Sequence, residues 1–142
     1  MATGDKRATL RATLAKLNER TRYRFTGVYR LVPPMLENVC LFDRENPTLN
    51  VSGDIHLLKD TYCAIVQATG ESFQTADSGN DERIAQHPAR DRIISYCGIP
   101  LHVEGAVRGV LCHYDTRPRL TPKGELEFLA TMEPILVAHL EG

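Results

Sequence analysis

The stretch Ser95–Asp115, SYCGIPLHVEGAVRGVLCHYD, decides the fold of this chain. Two runs rich in apolar, aromatic and β-branched residues, 92–103 and 106–115, flank the dipeptide Glu104-Gly105. Such runs predict β-strands, and a two-residue connection that contains glycine predicts a tight hairpin turn. Because a turn of this length joins strands that run in opposite directions, the sequence predicts an antiparallel hairpin in the core of the domain.

Helical periodicity precedes this hairpin at two places. A helix is predicted over 5–20 from leucines that recur on one helix face, Leu10, Leu14 and Leu17. Apolar residues over 55–68 have a similar spacing, and Gly70 stands where a glycine commonly ends a helix. We therefore expect a second helix over 55–68, with Gly70 as its C-terminal cap.

The remaining elements follow from alternation and from turn residues. Strands are predicted over 23–31, 35–42 and 72–76. A last helix is predicted over 121–142, with Thr121 as its N-terminal cap. Pro134 lies inside the apolar pattern of this helix and is expected to kink it or to break it near Ala130.

Consecutive strands joined by short turns favour an antiparallel sheet covered by helices over a doubly wound parallel sheet. The expected fold class is α+β, with a central antiparallel sheet of five to six strands. A chain of 142 residues fits one domain over 1–142. Its expected parts are an N-terminal helix over 1–21, the sheet with its connecting helices over 22–120, and a C-terminal helix over 121–142.

The composition is that of an ordinary globular domain, with 42% hydrophobic residues, 25% charged residues and a formal net charge of -1. This balance predicts no nucleic-acid partner and no membrane partner. No apolar run in the sequence approaches the roughly 20 residues that span a bilayer. The N-terminal residues also lack the apolar segment of a signal peptide. The four widely spaced cysteines are therefore expected to be reduced thiols in a cytoplasmic protein.

The hairpin resembles the corresponding part of GAF domains, and the resemblance extends over nearly the whole chain. Its most specific part is a Gly-x-Pro-Leu strand at 98–101, an acidic-Gly turn at 104–105 and a Gly-x-Leu strand at 109–111. The Pro-Arg loop at 117–119 and the segment around Tyr62 also resemble bacterial sensor domains of this family. The resemblance implies terminal helices on one face of the sheet and a ligand pocket on the other. It implies a regulatory module of signal transduction that senses or binds a small molecule and is not an enzyme.

Six residues are candidates for such a pocket, and each also has a simpler structural role open to it. The tyrosines offer an aromatic wall with a polar tip, or ordinary core packing. The aspartates would line the pocket mouth, or cap local turns. The candidates are Tyr62, Cys63, Asp77, Asp81, Tyr96 and His113. No catalytic residue, no metal-ligand set and no cofactor is identified.

The turn at Glu104-Gly105 also predicts which side chains share a face of the hairpin. If Val103 pairs with Ala106, Cys97 lies opposite Cys112 on the same face. The pair then consists of two small core residues, or of a redox pair or a soft-metal site. His113 alternates with Cys112 and is expected on the opposite face, where it lines the pocket. Its position late in a strand does not match the Cys-His dipeptide of bilin-binding GAF domains.

Two other functions stay open. The pattern at 25–29 resembles Trp-x-Gly-Phe-Tyr in the free methionine-R-sulfoxide reductases, which are GAF enzymes that use one cysteine to attack the sulfoxide and another to form a disulfide. The loop cysteines of that reaction are absent from this sequence. A ligand-free dimerisation module is the other alternative. The leucine stripes of the first and last helices predict a homodimer through these helices.

Overall fold

A computed structural model describes residues 2–140, with side chains from Lys6 onward. Six strands form one antiparallel sheet: β1 (Phe25–Val32), β2 (Met35–Asp43), β3 (Ile55–Leu57), β4 (Phe73–Thr75), β5 (Ser95–Val103) and β6 (Ala106–Asp115). The α-helices of the described residues are α1 (Ala2–Glu19), α2 (Cys63–Thr69), α3 (Glu125–Thr131) and α4 (Glu133–Val137). The predicted α+β class and the predicted antiparallel sheet are confirmed.

The strands lie in the order β3-β2-β1-β6-β5-β4, so the β1–β2 hairpin and the β5–β6 hairpin meet at the centre of the sheet. Val103 pairs with Ala106 at the end of the second hairpin. Glu104 and Gly105 between them have φ angles of 52° and 82°, as a type I′ turn requires at both central positions. The predicted tight turn is confirmed, and it explains why glycine is suited to position 105.

The β5–β6 hairpin contains a β-bulge close to this turn. Leu101 pairs with Gly109, but the next residue, His102, pairs with Val107. Arg108 is therefore an extra residue on β6 that has no partner of its own on β5. From this point to the far end of the hairpin, the register differs by one residue from the register that the turn alone predicts.

The bulge overturns the predicted pairing of Cys97 with Cys112. Cys97 lies opposite His113, and Gly98 lies opposite Cys112. Side chains alternate between the two faces of a sheet, so one extra residue moves every later side chain to the other face. Cys97 and Cys112 consequently point to opposite sides of the sheet, and they cannot form a metal site or a redox pair with each other.

The terminal helices α1, α3 and α4 cover one face of the sheet, as predicted. Leucines from both ends of the chain are at most 5% exposed in this layer: Leu10, Leu14, Leu17, Leu129, Leu136 and Leu140. Gly109 on β6 makes room for them, because a Cβ there would lie 2.7 Å from Leu140. The leucine stripes of the terminal helices are thus buried in the core of the same chain. Within residues 2–140, no helix combines the length and apolar character needed to cross a bilayer.

The C-terminal helical region is divided, as the proline predicts. α3 ends before Met132 and α4 begins after it. Pro134 lies in the first turn of α4, where a backbone N–H would have no partner within the helix, so its absence costs no hydrogen bond. The predicted cap at Thr121 is wrong: Gly124 precedes α3, and the Thr121 hydroxyl bonds the Tyr23 hydroxyl at 3.0 Å. Residues 141 and 142, the end of the predicted helix, lie outside the described residues.

The other face of the sheet is covered by α2 and by short 3-10 turns. The predicted helix over 55–68 is wrong in its first part, because Ile55–Leu57 forms β3 and pairs with residues 35–37 of β2. A 3-10 turn at 58–60 follows, and α-helix begins only at Cys63. Gly70 caps α2 with a φ of 71°, which confirms the predicted end of the helix.

Candidate ligand cavity

A cavity of about 110 Å³ lies on the face of the sheet that the terminal helices leave free. Its apolar and aromatic lining comes from β1, β2, β5, β6, α2 and the chain before β5: Tyr29, Leu36, Tyr62, Cys63, Ala89, Ile93, Tyr96, Cys112 and Tyr114. Its polar lining consists of His56, Asp60, Thr61 and Arg92. A liquid water occupies about 30 Å³, so the space suits a molecule of a few heavy atoms.

Two glycines allow tyrosine rings to form the floor of this cavity. A Cβ on Gly98 would lie 2.5 Å from the hydroxyl oxygen of Tyr96, and a Cβ on Gly27 would lie 2.9 Å from Cε1 of Tyr29. Each ring therefore extends along its own strand, over a glycine two residues away. Gly98 belongs to the Gly-x-Pro-Leu pattern of β5, and its role here is to leave space for the ring of Tyr96.

Two thiols meet in the cavity wall beside Tyr96. Cys63 is the first residue of α2, and its sulfur lies 3.4 Å from the Tyr96 hydroxyl oxygen. Hydrogen bonding from the Cys112 thiol on β6 outweighs burial and lowers the pKa of Cys63. Burial, together with the neighbouring Cys63, raises the pKa of Cys112 well above its ordinary value. Cys63 is therefore the thiol that ionises first, and Cys112 keeps its proton.

The other two cysteines have a different environment. Cys40 and Cys97 lie in the core under the terminal helices. Burial raises the pKa of Cys40, and it raises the pKa of Cys97 to about 12. Across residues 2–140, no three or more His, Cys, Asp or Glu side chains converge as they would around a metal ion. Thiol reactivity in the native protein is consequently expected at the cavity.

A pair of phenols supplies the hydrogen-bonding groups of the cavity. The hydroxyl oxygens of Tyr29 and Tyr114 lie 2.9 Å apart. Burial raises the pKa of both side chains, so both hydroxyls are neutral at physiological pH. Each can donate and accept a hydrogen bond, and the pair is able to recognise either kind of polar group.

Tyr62 anchors the cavity wall to the neighbouring chain. It is 2% exposed, and its hydroxyl donates to the carbonyl oxygen of Ile93 at 3.0 Å. Its ring centroid lies 4.8 Å from that of His87 and 5.4 Å from that of Tyr96. Arg92 strengthens the same junction by donating to the backbone oxygen of Asp60 at 3.2 Å. The wall is thus held by ring packing and by bonds to backbone oxygens.

The two predicted aspartates stand outside the cavity lining and stabilise the turns between β4 and β5. The Asp77 carboxylate accepts from the backbone N–H of Gly79 and from Nδ2 of Asn80, the latter at 2.8 Å. The Asp81 carboxylate accepts from Nη2 of Arg83 at 2.6 Å, and this guanidinium lowers the pKa of Asp81 to about 2. Both aspartates therefore cap local turns, which is the alternative role that the sequence predicted for them.

His113 also stands outside the cavity, contrary to the prediction. The bulge places it on the helix-covered face, where it is 0% exposed and its ring stacks on Tyr23 with centroids 5.5 Å apart. Its Nδ1 lies 2.7 Å from the Thr26 hydroxyl oxygen, and its Nε2 lies 2.8 Å from the Glu125 carboxylate. Glu125 is 1% exposed and also accepts from Nε of Arg20 at 3.1 Å.

The hydrogen bonds around His113 are satisfied by one arrangement of protons. Asn18 donates from Nδ2 to the Thr26 hydroxyl oxygen at 2.9 Å. The Thr26 hydroxyl then donates to Nδ1 of His113, and Nε2–H donates to Glu125; this tautomer is assigned from the network. The network joins β1, β6, α1 and α3, and it serves the junction between the sheet and the terminal helices.

Of the six predicted residues, the cavity brings together Tyr62, Cys63 and Tyr96. Sequence reasoning missed Cys112 and Tyr114 as cavity residues. Because Cys112 and Tyr114 flank His113 on β6, they share the face of the sheet opposite to His113. The bulge decides whether that face borders the cavity or the terminal helices. The signal that would have found them is the pairing of β6 with β1, which places Cys112 opposite Gly27.

Solved structures resemble this chain over most of its length. A type II free methionine-R-sulfoxide reductase from Thermoplasma acidophilum has 15% identity and a TM-score of 0.71, with 94% of this chain and 91% of that chain covered. The GAF domain of an Acinetobacter phosphoenolpyruvate-protein phosphotransferase has 18% identity and a TM-score of 0.69, with coverage of 90% and 77%. The GAF domain of a two-component sensor histidine kinase from Bacillus halodurans has 14% identity and a TM-score of 0.64, with coverage of 96% and 92%.

At these identities the likeness concerns the fold alone. Comparison with curated protein sequences finds no match. The family model of the GAF domain, in contrast, matches residues 5–132, which include all six strands and the cavity. The chain belongs to the GAF family.

Proposed function

We propose that this GAF domain is a regulatory module that binds a small molecule in the cavity beside β6. The observation that carries the proposal is the cavity itself, about 110 Å³ between packed secondary structure elements and lined mainly by rings, thiols and aliphatic side chains. A concave and mainly apolar recess with a few convergent polar groups is the usual form of a small-molecule site, and a module that serves only to dimerise does not need one. The cavity therefore favours ligand binding over a purely structural role.

The lining supports a small and uncharged ligand. The hydroxyls of Tyr29 and Tyr114 are suited to hydrogen-bond a polar atom at the floor, whereas the charged groups of the lining, Asp60 and Arg92, stand on the more exposed segments around it. An apolar cavity of about 150 Å³ in another protein is known to accept benzene, so the size here matches at most a single ring. We expect an apolar or aromatic molecule with one hydrogen-bonding group.

Phenol is a probe of this chemistry, and NMR spectroscopy locates its binding. Titration of the ¹⁵N-labelled protein with phenol is expected to shift the backbone amides of Cys63, Tyr96 and Cys112. Amides of α1, on the other side of the sheet, are expected to shift less. Shifts that are absent, or that centre on another surface, would contradict binding in this cavity.

A matched pair of substitutions separates the cavity from the rest of the surface. Ala89 is 1% exposed and lines the cavity, whereas Ala85 is exposed on the same stretch of chain. Ala89→Leu is expected to occupy the cavity and to abolish the phenol-dependent shifts, and Ala85→Leu is expected to leave them unchanged. Equal phenol binding by both variants would place the probe elsewhere.

A free methionine-R-sulfoxide reductase is the second candidate function. It is favoured by the presence of two thiols, Cys63 and Cys112, in one cavity wall and by the likeness of the fold to reductases of this type. Against it stand the missing loop cysteines, because Cys63 lies on α2 and Cys112 on β6. A coupled assay with free methionine sulfoxide, thioredoxin, thioredoxin reductase and NADPH tests it: turnover supports the reductase, and the absence of NADPH consumption removes it.

We also propose that the domain acts as a homodimer through its terminal helices. The leucines that suggested this interface are buried within the chain, so the contact would involve outward-facing residues such as Ile135, which is 55% exposed. In this arrangement the ligand cavity and the dimer contact lie on opposite faces of the sheet. Ligand binding would then act on the partner through a shift in the population of the helix arrangement.

A further inference from the structure

We propose that Cys63 and Cys112 form an oxidation site, which hydrogen peroxide reaches through the cavity and converts to an intrachain disulfide. The proposal goes beyond ligand binding, because the chemistry needs only the two thiols and a peroxide. It also differs from sulfoxide reduction, because the oxidant is a peroxide and the disulfide is a modification of the domain.

Position separates this pair from the other thiols. All four cysteines are free. Of the four, Cys63 and Cys112 line the cavity, whereas Cys40 and Cys97 belong to the core on the helix-covered side of the sheet. A peroxide has two oxygen atoms and fits easily in about 110 Å³. The cavity therefore gives a small oxidant access to two thiols that are only 3% and 1% exposed.

The surroundings give the two thiols different roles. The Tyr96 hydroxyl and the Cys112 thiol both stand beside the Cys63 sulfur, where they stabilise a negative charge on it. Thiolates, and not thiols, attack peroxides, so Cys63 is the nucleophile. Cys112 retains its proton and lies next to Cys63, which is the position of a resolving cysteine.

The reaction balances with the peroxide as the two-electron oxidant. The Cys63 thiolate attacks one peroxide oxygen, an S–O bond forms, the O–O bond breaks, and the departing hydroxide takes up a proton to become water. Cys63 is then a sulfenic acid. The Cys112 sulfur attacks the Cys63 sulfur, an S–S bond forms, the S–O bond breaks, and the second water leaves with the Cys112 proton. Two thiols are oxidised and one peroxide is reduced to two waters.

The disulfide would change the cavity in a defined way. It would join the beginning of α2 covalently to β6, a strand that lies next to this helix. The Tyr96 hydroxyl would lose the Cys63 thiol as a hydrogen-bond partner. Oxidation therefore alters the floor and the wall of the proposed ligand site together.

The test uses the full chain in its native state, without any ligand. Hydrogen peroxide is added, remaining thiols are alkylated, and the protein is digested without reduction for mass spectrometry. We expect two of the four thiols to be lost and a peptide pair linked through Cys63 and Cys112, which dithiothreitol separates. A full set of four alkylated thiols, or a link that involves Cys40 or Cys97, would overturn the proposal.

Variants assign the two roles. Cys112→Ser is expected to leave Cys63 as a sulfenic acid that dimedone traps, and Cys63→Ser is expected to slow thiol loss at least about tenfold. The matched control Cys97→Ala removes a buried thiol outside the cavity and is expected to form the disulfide normally. Dimedone labelling of Cys112 in preference to Cys63 would refute the assigned roles. Mapping of the unmodified sequence decides the proposal even if a variant fails to fold, and failure of phenol to bind would leave its outcome unchanged.

Discussion

The buried network at His113 leads to a stability prediction that compares two similar histidine–glutamate contacts. His113 and Glu125 lie 2.8 Å apart with side chains 0% and 1% exposed. His102 and Glu133 lie at the same distance, but their side chains are 41% and 29% exposed. Both pairs join the C-terminal helical region to the hairpin. Substitution of each glutamate by alanine therefore measures what burial adds to the same chemical contact.

The expected cost of Glu125→Ala is about 3 kcal/mol in the free energy of unfolding, since a buried donor left without its acceptor costs about 1–3 kcal/mol and the shortened side chain also leaves unfilled space. Most of this cost arises because Nε2–H of His113 loses its acceptor in a place that water does not reach. Arg20 is 42% exposed on its side chain, so its contact with Glu125 adds at most about 1 kcal/mol. Glu133→Ala is expected to cost less than about 1 kcal/mol, because water replaces the lost contact.

Urea denaturation followed by circular dichroism measures both costs. With a slope near 2 kcal/mol/M, a loss of about 3 kcal/mol moves the midpoint down by about 1.5 M. The double substitution His113→Phe with Glu125→Leu is expected to regain a large part of the lost stability, because it removes the Nε2–H donor together with its acceptor. The Thr26 hydroxyl loses Nδ1 of His113 as a partner but still accepts from Asn18. Equal midpoints for Glu125→Ala and Glu133→Ala would refute the reasoning, since burial would then add nothing.

Three further predictions concern the cavity floor, acid stability and assembly. Gly98→Ala is expected to lower the stability to urea by about 1–3 kcal/mol, because the new Cβ would displace the Tyr96 ring; an unchanged midpoint would show that the ring does not need this space. Arg83 lowers the pKa of Asp81 to about 2, against about 3.9 in an unfolded chain, so this contribution to stability is present above about pH 4 and is lost as the pH falls toward 2. Asp81→Asn is therefore expected to reduce the pH dependence of the urea midpoint in that window by no more than about 1 kcal/mol, because Arg83 is largely exposed, and an identical profile would contradict it. Sedimentation velocity at high micromolar concentration is expected to show a dimer, and a monomer there would count against assembly through the terminal helices.

Local signals in the sequence were enough to predict most of the fold. The dipeptide Glu104-Gly105 predicts its own turn, because the backbone angles that a type I′ turn needs favour glycine. Pro134 predicts the division between α3 and α4, because a proline ring is compatible only with the first turn of a helix. In each of these cases the residue type itself restricts the local backbone.

Elements that depend on distant pairing were harder to predict. Ile55–Leu57 has the apolar character of a helix face, yet it forms an edge strand because residues 35–37 of β2 are available to pair with it. Strand formation depends strongly on such neighbours, which the local sequence does not contain. The predicted helix was therefore too long by its first turns.

For the candidate site, too, local signals were sufficient for some residues, whereas others depended on strand pairing. Tyr62, Cys63 and Tyr96 were placed in the pocket from the resemblance and from their chemistry, and they do line the cavity. His113 was placed on the wrong face because the bulge at Arg108 follows from no local signal in the hairpin. One unpaired residue is a small change in length, but it exchanges the two faces of the strand beyond it.

The strand β6 connects the two faces of the sheet through neighbouring residues. Cys112 and His113 are neighbours in the chain, and they face the cavity and the helix layer respectively. A displacement of β6 at the cavity would reach the Glu125 junction across one peptide bond, with no chain of intermediate side chains. If the proposed regulatory function holds, a change at the cavity and a change in the helix layer would be coupled through two adjacent residues of one strand.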